Sequence, residues 1–293
     1  MLAYTLWGLF PLYFVLLDTV NPFEVAANRI VWSFILVLMI VAFFGRWSVL
    51  KAVLRNRRTV IGCALGGLML TTNWTVYIAA VQHEAVVEGA LGYYINPLIT
   101  VLFGVVLLKE RLNRLQWTAL AIAFIAVIVL TIDFGRPPWI ALVLAASFGL
   151  YGLAKKLVDA PSLEGLGVET GAMLIPALIV MGIFAAHGNF ALTTRDLGSV
   201  LLLVALGVVT TVPLLLFGVA TSRVPLSLMG LMQYATPTVQ FIVGVVILKE
   251  PMPLSRFVGF VLVWIALAVL AYDGLRRSRV PAIPSPGLAF DAT

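Results

Sequence analysis

Two stretches decide how this chain is read: GVVLLKE at Gly104–Glu110 and GVVILKE at Gly244–Glu250. Each is an apolar run that stops at a Lys-Glu pair, and the two lie 140 residues apart. Working outward, the same offset pairs Tyr94 with Tyr234 and Pro97 with Pro237. Further upstream the offset becomes 141, setting Gly8-Leu9 against Gly149-Leu150 and Ala64-Leu65-Gly66 against Ala205-Leu206-Gly207. Self-similarity on this scale is a property of the whole fold. The chain is therefore read as two related halves, 1–134 and 135–275, followed by a basic tail at 276–293 that is expected to be disordered and cytoplasmic.

Composition sets the class. Of the 293 residues 62% are hydrophobic and only 11% charged, with a mean hydropathy of +1.08. A soluble domain carries about 25% charged residues. The apolar residues also fall in long blocks, and a membrane helix needs ~20 of them. The expected fold is an all-α integral membrane protein. Ten spans are predicted at 2–17, 27–44, 60–81, 89–108, 115–132, 138–156, 166–186, 198–220, 226–248 and 254–273. The first begins almost at Met1 without the basic flank and cleavage site of a signal peptide, and a few residues upstream of it are expected. Cys63 is the single cysteine, which excludes an intrachain disulfide and a cysteine metal cluster.

Five spans per half is an odd number, so the second half enters the membrane the other way up. Inverted repeats of this kind rock around a central site in secondary transporters. Lysine and arginine collect on cytoplasmic loops. With both termini inside, 14 of the 19 basic residues fall on the inner side and 5 on the outer. The net charge of +6 is explained in this way and not by nucleic acid. Lys109-Glu110 then lies inside and Lys249-Glu250 outside.

Polar groups are costly in hydrocarbon unless paired or facing water, which makes them site candidates. GALGYYINPL at 89–98 and its counterpart GLMQYATPT at 230–238 carry Tyr93, Tyr94 and Asn96, and Gln233, Tyr234 and Thr236, with Gln240 one turn on. Pro97 and Pro237 are expected to kink their spans and free a carbonyl. Asn73 and Tyr77 share a helix face in the third span, and Trp7 and Tyr151 are added as aromatic wall. The plainer reading is that the amides bond a neighbouring helix and the aromatics pack. Charges near spans are few. Arg29 and Glu169 each open a span, from opposite leaflets, and no ion pair is expected between them. Glu88 is either a proton-sensitive gate or a solvated cap. Lys155 and Lys156 end the sixth span, where headgroup anchoring is the usual role. Gly62, Gly66 and Gly67 suit close helix packing.

No nucleotide loop, metal-ligand cluster or nucleophile–base pair is present in the sequence, so no enzyme and no cofactor is expected. Any driving force must then come from a gradient. The strings WGLFPLYF (7–14), NRIVWS (28–33), NWTVYIAAV (73–81), EGALGYYINPL (88–98), SFGLYGLAKK (147–156) and VVTTVPLLLFGVATSRVPLSLMGLMQYATPT (208–238) cover most of the chain. In them it resembles the EamA-like branch of the drug/metabolite transporter superfamily. Asn28 stands where that pattern leads one to expect His before the arginine, so no protonatable group is expected there. The resemblance implies a bacterial inner-membrane permease whose partners are a small-molecule substrate and the lipid bilayer, acting as a monomer or homodimer. An aromatic, amide-rich cavity with few charges suits a neutral or zwitterionic organic solute. The rival reading is a non-transporting sensor or scaffold, against which the short loops argue.

Overall fold

The computed structural model describes residues 1–82, 86–132, 139–247 and 254–278, and every regular element among them is helical. The Lys249-Glu250 edge, His83, Arg136 and residues 279–293 lie outside the described residues, as does the side chain of Glu88. The helices are α1 (Leu2–Gly8), α2 (Phe10–Phe14), α3 (Pro22–Phe43), α4 (Trp47–Arg55), α5 (Arg57–Gln82), α6 (Val86–Val106), α7 (Arg114–Ile132) and α8 (Trp139–Leu157). They continue as α9 (Ser162–Ala172), α10 (Leu174–Ala186), α11 (Ala191–Thr194), α12 (Leu197–Arg223), α13 (Leu226–Met232), α14 (Ala235–Ile242) and α15 (Leu254–Ser278).

Four of these helices, α3, the 57–80 part of α5, α8 and α12, are long and apolar enough to cross a membrane, and α9 with α10 makes a fifth, bent by 45° at Met173. The burial pattern is that of a protein in lipid. Large apolar side chains such as Met39, Phe43, Leu65, Phe124, Ile179 and Leu201 face outward, while Asn28, Arg29, Asn73, Asn96 and Gln233 are buried. Polar groups turn inward because protein, unlike hydrocarbon, offers them hydrogen bonds.

Local signals explain where the helices differ from the expected spans. Asn21 caps α3, its side chain accepting the Phe23 N–H at 3.0 Å, with Pro22 in the first turn. That start lies upstream of the predicted one and places Arg29 two turns inside the helix. In the same way α9 begins after Pro161, which draws Glu169 inward. The loop 45–59 contains α4, which was not foreseen. Its Leu50 and Val53 are buried and its Lys51 and Arg55 exposed, the division expected of an interfacial helix. At the other end α15 runs through Arg276 and Arg277 to Ser278, so the basic tail starts as helix.

The two prolines act differently. The backbone of α6 stays helical through Pro97, whereas the ninth span breaks at Gln233-Tyr234, leaving Pro237 in the first turn of α14, where its missing N–H costs nothing. Contacts run between α3 and α12, α5 and α8, α6 and both α8 and α13, and α7 and α15, with α1 against α12 and α14. Small residues set the closest of these approaches. A Cβ on Gly67 would lie 2.7 Å from the backbone oxygen of Glu169, and one on Gly207 2.7 Å from that of Trp32.

The first Lys-Glu edge has a structural job. After α6, Lys109 takes a left-handed backbone conformation (φ 55°). Glu110 then folds back, its N–H bonding the Gly104 carbonyl at 3.0 Å. Its carboxylate accepts the N–H groups of Leu226 and Ser227, both at 2.7 Å, at the start of α13. A side chain on Gly104 would collide with this arrangement, since its Cβ would sit 2.7 Å from Glu110 Oε2 and 2.8 Å from Ser227 N. The repeated edge therefore clamps the end of one half to a helix of the other.

Candidate functional site

Six helices, α1, α2, α5, α6, α8 and α14, with the turn before α14, meet around a small internal cavity of about 30 Å3. Its wall combines the aromatic side chains of Trp7, Phe10, Trp74, Tyr77, Tyr93 and Phe148 with the polar ones of Asn73, Asn96, Gln233, Thr236 and Gln240. Helical period selects these residues. Tyr93 and Asn96 are three apart, Gln233, Thr236 and Gln240 follow at three and four, and Asn73 and Tyr77 are four apart, so each set shares a face. Tyr94 and Tyr234, one position on, point away instead. They pack with Val101, Ala119, Ala123 and Leu231 in a separate core, where the Tyr234 hydroxyl donates to the Tyr94 carbonyl at 3.3 Å.

Several polar groups in the wall are engaged. The Asn73 amide donates to the Leu144 carbonyl at 2.7 Å and to Ser147 Oγ at 3.1 Å, joining α5 to α8. The Thr236 hydroxyl donates to the Tyr4 carbonyl at 3.0 Å, joining α14 to α1. Thr100 Oγ1 reaches Gln233 Oε1 at 3.5 Å. Asn96 Oδ1 is buried without a hydrogen-bond partner. Phe10 was missed from the sequence, although it lies three residues after Trp7 and so on the same face.

A plug of aromatic rings closes one side. Trp7 packs edge-on to Phe148 with ring centres 5.4 Å apart, and Phe148 contacts Phe217 at 5.6 Å. Phe217 in turn stacks on Tyr151 at 5.7 Å. Tyr151 accordingly belongs to the plug and not to the cavity wall. Its hydroxyl donates to Glu169 Oε2 at 3.3 Å, while Lys155 Nζ holds Glu169 Oε1 at 2.7 Å. This ion pair is nearly sealed, with side-chain exposures of 9% for Lys155 and 2% for Glu169. It sits at the base of an indentation of about 250 Å3 that also holds Lys156, Asp159 and Ser222.

The lysines correct the headgroup-anchor expectation. Lys156 donates to the carbonyls of Thr221 and Val224, at 2.9 and 3.0 Å, and so satisfies the C-terminal end of α12. Arg29 and Glu169 are corrected too. They line one cavity of about 20 Å3, with Ser33, Thr71, Thr170 and Thr210. The Arg29 guanidinium carbon lies 4.4 Å above the ring of Trp74, and the two charged groups make no direct ion pair. Opposite-leaflet placement rested on helix starts now known to lie further out. Among the described residues no cluster of His, Cys, Asp or Glu has the makings of a metal site.

The fold and this interior define a multi-pass membrane protein with an internal cavity, and sequence comparison identifies its kind. The model of the EamA-like transporter family matches residues 1–132 and again 137–272, and the chain belongs to that family. It is 46% identical to Protein RarD of Streptomyces exfoliatus, over 94% of this chain and 88% of that protein. It is 39% identical to the uncharacterized transporter YojE of Bacillus subtilis (strain 168), over 94% and 93% of the two. A protein known from a crystal structure shares the fold, with a TM-score of 0.69 over 95% of this chain and 96% of its own at 21% identity.

Proposed function

We propose that this chain is a secondary transporter that moves small neutral or zwitterionic organic solutes by alternating access. One observation carries the reading. The cavity is lined from both halves by corresponding residues: Tyr93 with Gln233 and Asn96 with Thr236, each 140 apart, and Trp7 with Phe148, 141 apart. A site on the axis between two similar halves is the arrangement that lets them exchange roles. The double match to the family and the pairing of corresponding helices, α6 with α13 and α7 with α15, support two five-span repeats, 1–134 and 135–275, in inverted orientation. The family and the basic-residue count support a bacterial inner-membrane location with cytoplasmic termini. A proton gradient is the first driving force to test.

At about 30 Å3 the cavity has room for one or two waters. A solute pocket needs on the order of 300 Å3. The conformation is therefore closed, and the aromatic plug must separate for a solute to enter. Purified protein in liposomes is expected to take up or release such solutes, with and without an imposed pH gradient. Asn96→Ala and Gln233→Ala should abolish flux while leaving the folded protein monodisperse. Normal transport by both variants would refute the site, and binding without flux would favour a sensor.

A further inference from the structure

The cavity beside Arg29 is chemically unlike the aromatic one. Arg29 is only 3% exposed, and its Nε and Nη1 have no hydrogen-bond partner. Nor do Ser33 Oγ and Thr210 Oγ1, which line the same cavity and are buried as well. All four atoms can donate. Among the described residues that line it the one carboxylate is Glu169, which already accepts from Lys155 and Tyr151. Arg29, Lys155 and Glu169 thus leave one positive charge uncompensated in a low-dielectric interior, where an unpaired ion is strongly disfavoured. Buried polar atoms are nearly always satisfied, and a concentration of unsatisfied ones in one place calls for a partner from outside the protein, a water, an ion or a polar group of a ligand.

We propose that this cavity is the carboxylate subsite of the solute-binding site. The solute's carboxylate takes the Arg29, Ser33 and Thr210 donors, a role for which a guanidinium is better shaped than an ammonium. Its apolar body lies across Trp74, which carries Arg29 on its ring and lines the aromatic cavity. The aromatic faces and the unpartnered Asn96 Oδ1 then suit the ammonium of an amino acid. The inference rests on the transporter reading and sets its substrates as small amphipathic carboxylates, zwitterionic amino acids and organic monoanions alike, in place of uncharged solutes. Those acids form the class, and small anions without an apolar body do not.

The test is a thermal-shift titration of the full chain in nanodiscs. The probes are L-phenylalanine, L-leucine and 3-phenylpropanoate, each beside its methyl ester, with nitrate and formate as simple anions. The acids are expected to raise the apparent melting temperature in a saturable way, and the esters to bind about tenfold more weakly or not at all. Arg29→Met should lose the response while melting no lower than the parent without solute, because it removes an uncompensated buried charge. If Arg29→Met does not fold, Ser33→Ala and Thr210→Val carry the test, each weakening the acids several-fold. Equal binding of acid and ester, no shift with any acid, a shift with nitrate and formate alone, or an unchanged response in Arg29→Met or in both hydroxyl variants would overturn the proposal. Flux in liposomes separates it from the transporter reading. Acids that bind and are not moved overturn transport alone, and flux of esters in place of acids overturns the subsite alone.

Discussion

Glu110 shows how much a single side chain does in this fold. Its two oxygens satisfy two backbone N–H groups at the start of α13, each at 2.7 Å. Glu110→Ala leaves both donors without their partner, and a buried unsatisfied donor costs about 1–3 kcal/mol. A clearly lowered melting temperature is expected, with Glu110→Gln intermediate because one acceptor remains. The Lys155–Glu169 pair makes a second residue-scale case. Losing one partner of a buried pair costs about 3–5 kcal/mol, mostly by stranding the other charge. Lys155→Met and Glu169→Gln should each destabilise strongly, and the double variant should be more stable than the sum of the singles. Additive effects in that cycle would show the pair to be uncoupled.

Between helices, glycine decides how close two backbones come. Gly67→Ala would put a Cβ 2.7 Å from Glu169 O and 3.2 Å from Glu169 Cα, so α5 and α9 must move apart. A loss of about 1–3 kcal/mol is expected for such overpacking. Gly182 in α10 is the contrast, with nothing within 4 Å of the added carbon. There alanine should hold or raise stability through its better helix propensity. Helix ends respond to pH. Asp196 caps α12, accepting from Ser199 Oγ at 2.7 Å and from the Ser199 N–H at 3.2 Å. The Ser199 hydroxyl, and then backbone N–H groups, hold its carboxyl below the usual range. A depressed folded pKa gives stability that is present above the unfolded value, near 3.9, and is lost as pH falls through the folded one. Asp196→Ala should therefore lower the melting temperature at pH 7, with the difference from the parent shrinking as the medium is acidified below about pH 4.

For the molecule as a whole, the inverted-repeat reading makes orientation testable. Cys63 is buried, so the parent chain should react poorly with an impermeant maleimide. Asn189, after α10, and Arg57, the first residue of α5, are exposed and assigned to opposite sides of the membrane. Asn189→Cys should label from outside intact cells and Arg57→Cys only after permeabilisation. The reverse pattern would turn the topology over, and labelling of both from one side would break the five-plus-five arrangement. The closed cavity adds a second expectation at this scale. A cysteine replacing Tyr77 should be unreactive at rest and gain reactivity during turnover if the halves rock.

Much of this was legible in the residues themselves. Composition and apolar run length determined the membrane class, since hydrocarbon tolerates few charges. The duplicated Lys-Glu edges exposed the repeat. Helical period already separated Tyr93 and Asn96 from Tyr94, although grouping by neighbourhood in the sequence concealed it. The misplaced helix starts were legible too, in Asn21-Pro22 and Pro161-Ser162. Other features had no local signal. That Glu110 reaches α13, that Lys155 rather than a headgroup meets Glu169, and that Arg29 shares a cavity with Glu169 depend on where helices distant in sequence cross. The sequence by itself determined that the chain is built of apolar membrane helices and which of their faces is polar, because both follow from local composition and period. Only the tertiary structure decided which polar groups find partners, because a buried charge pairs with whatever the packing brings within about 3 Å, and packing left Arg29, with Ser33 and Thr210 beside it, with donors to spare.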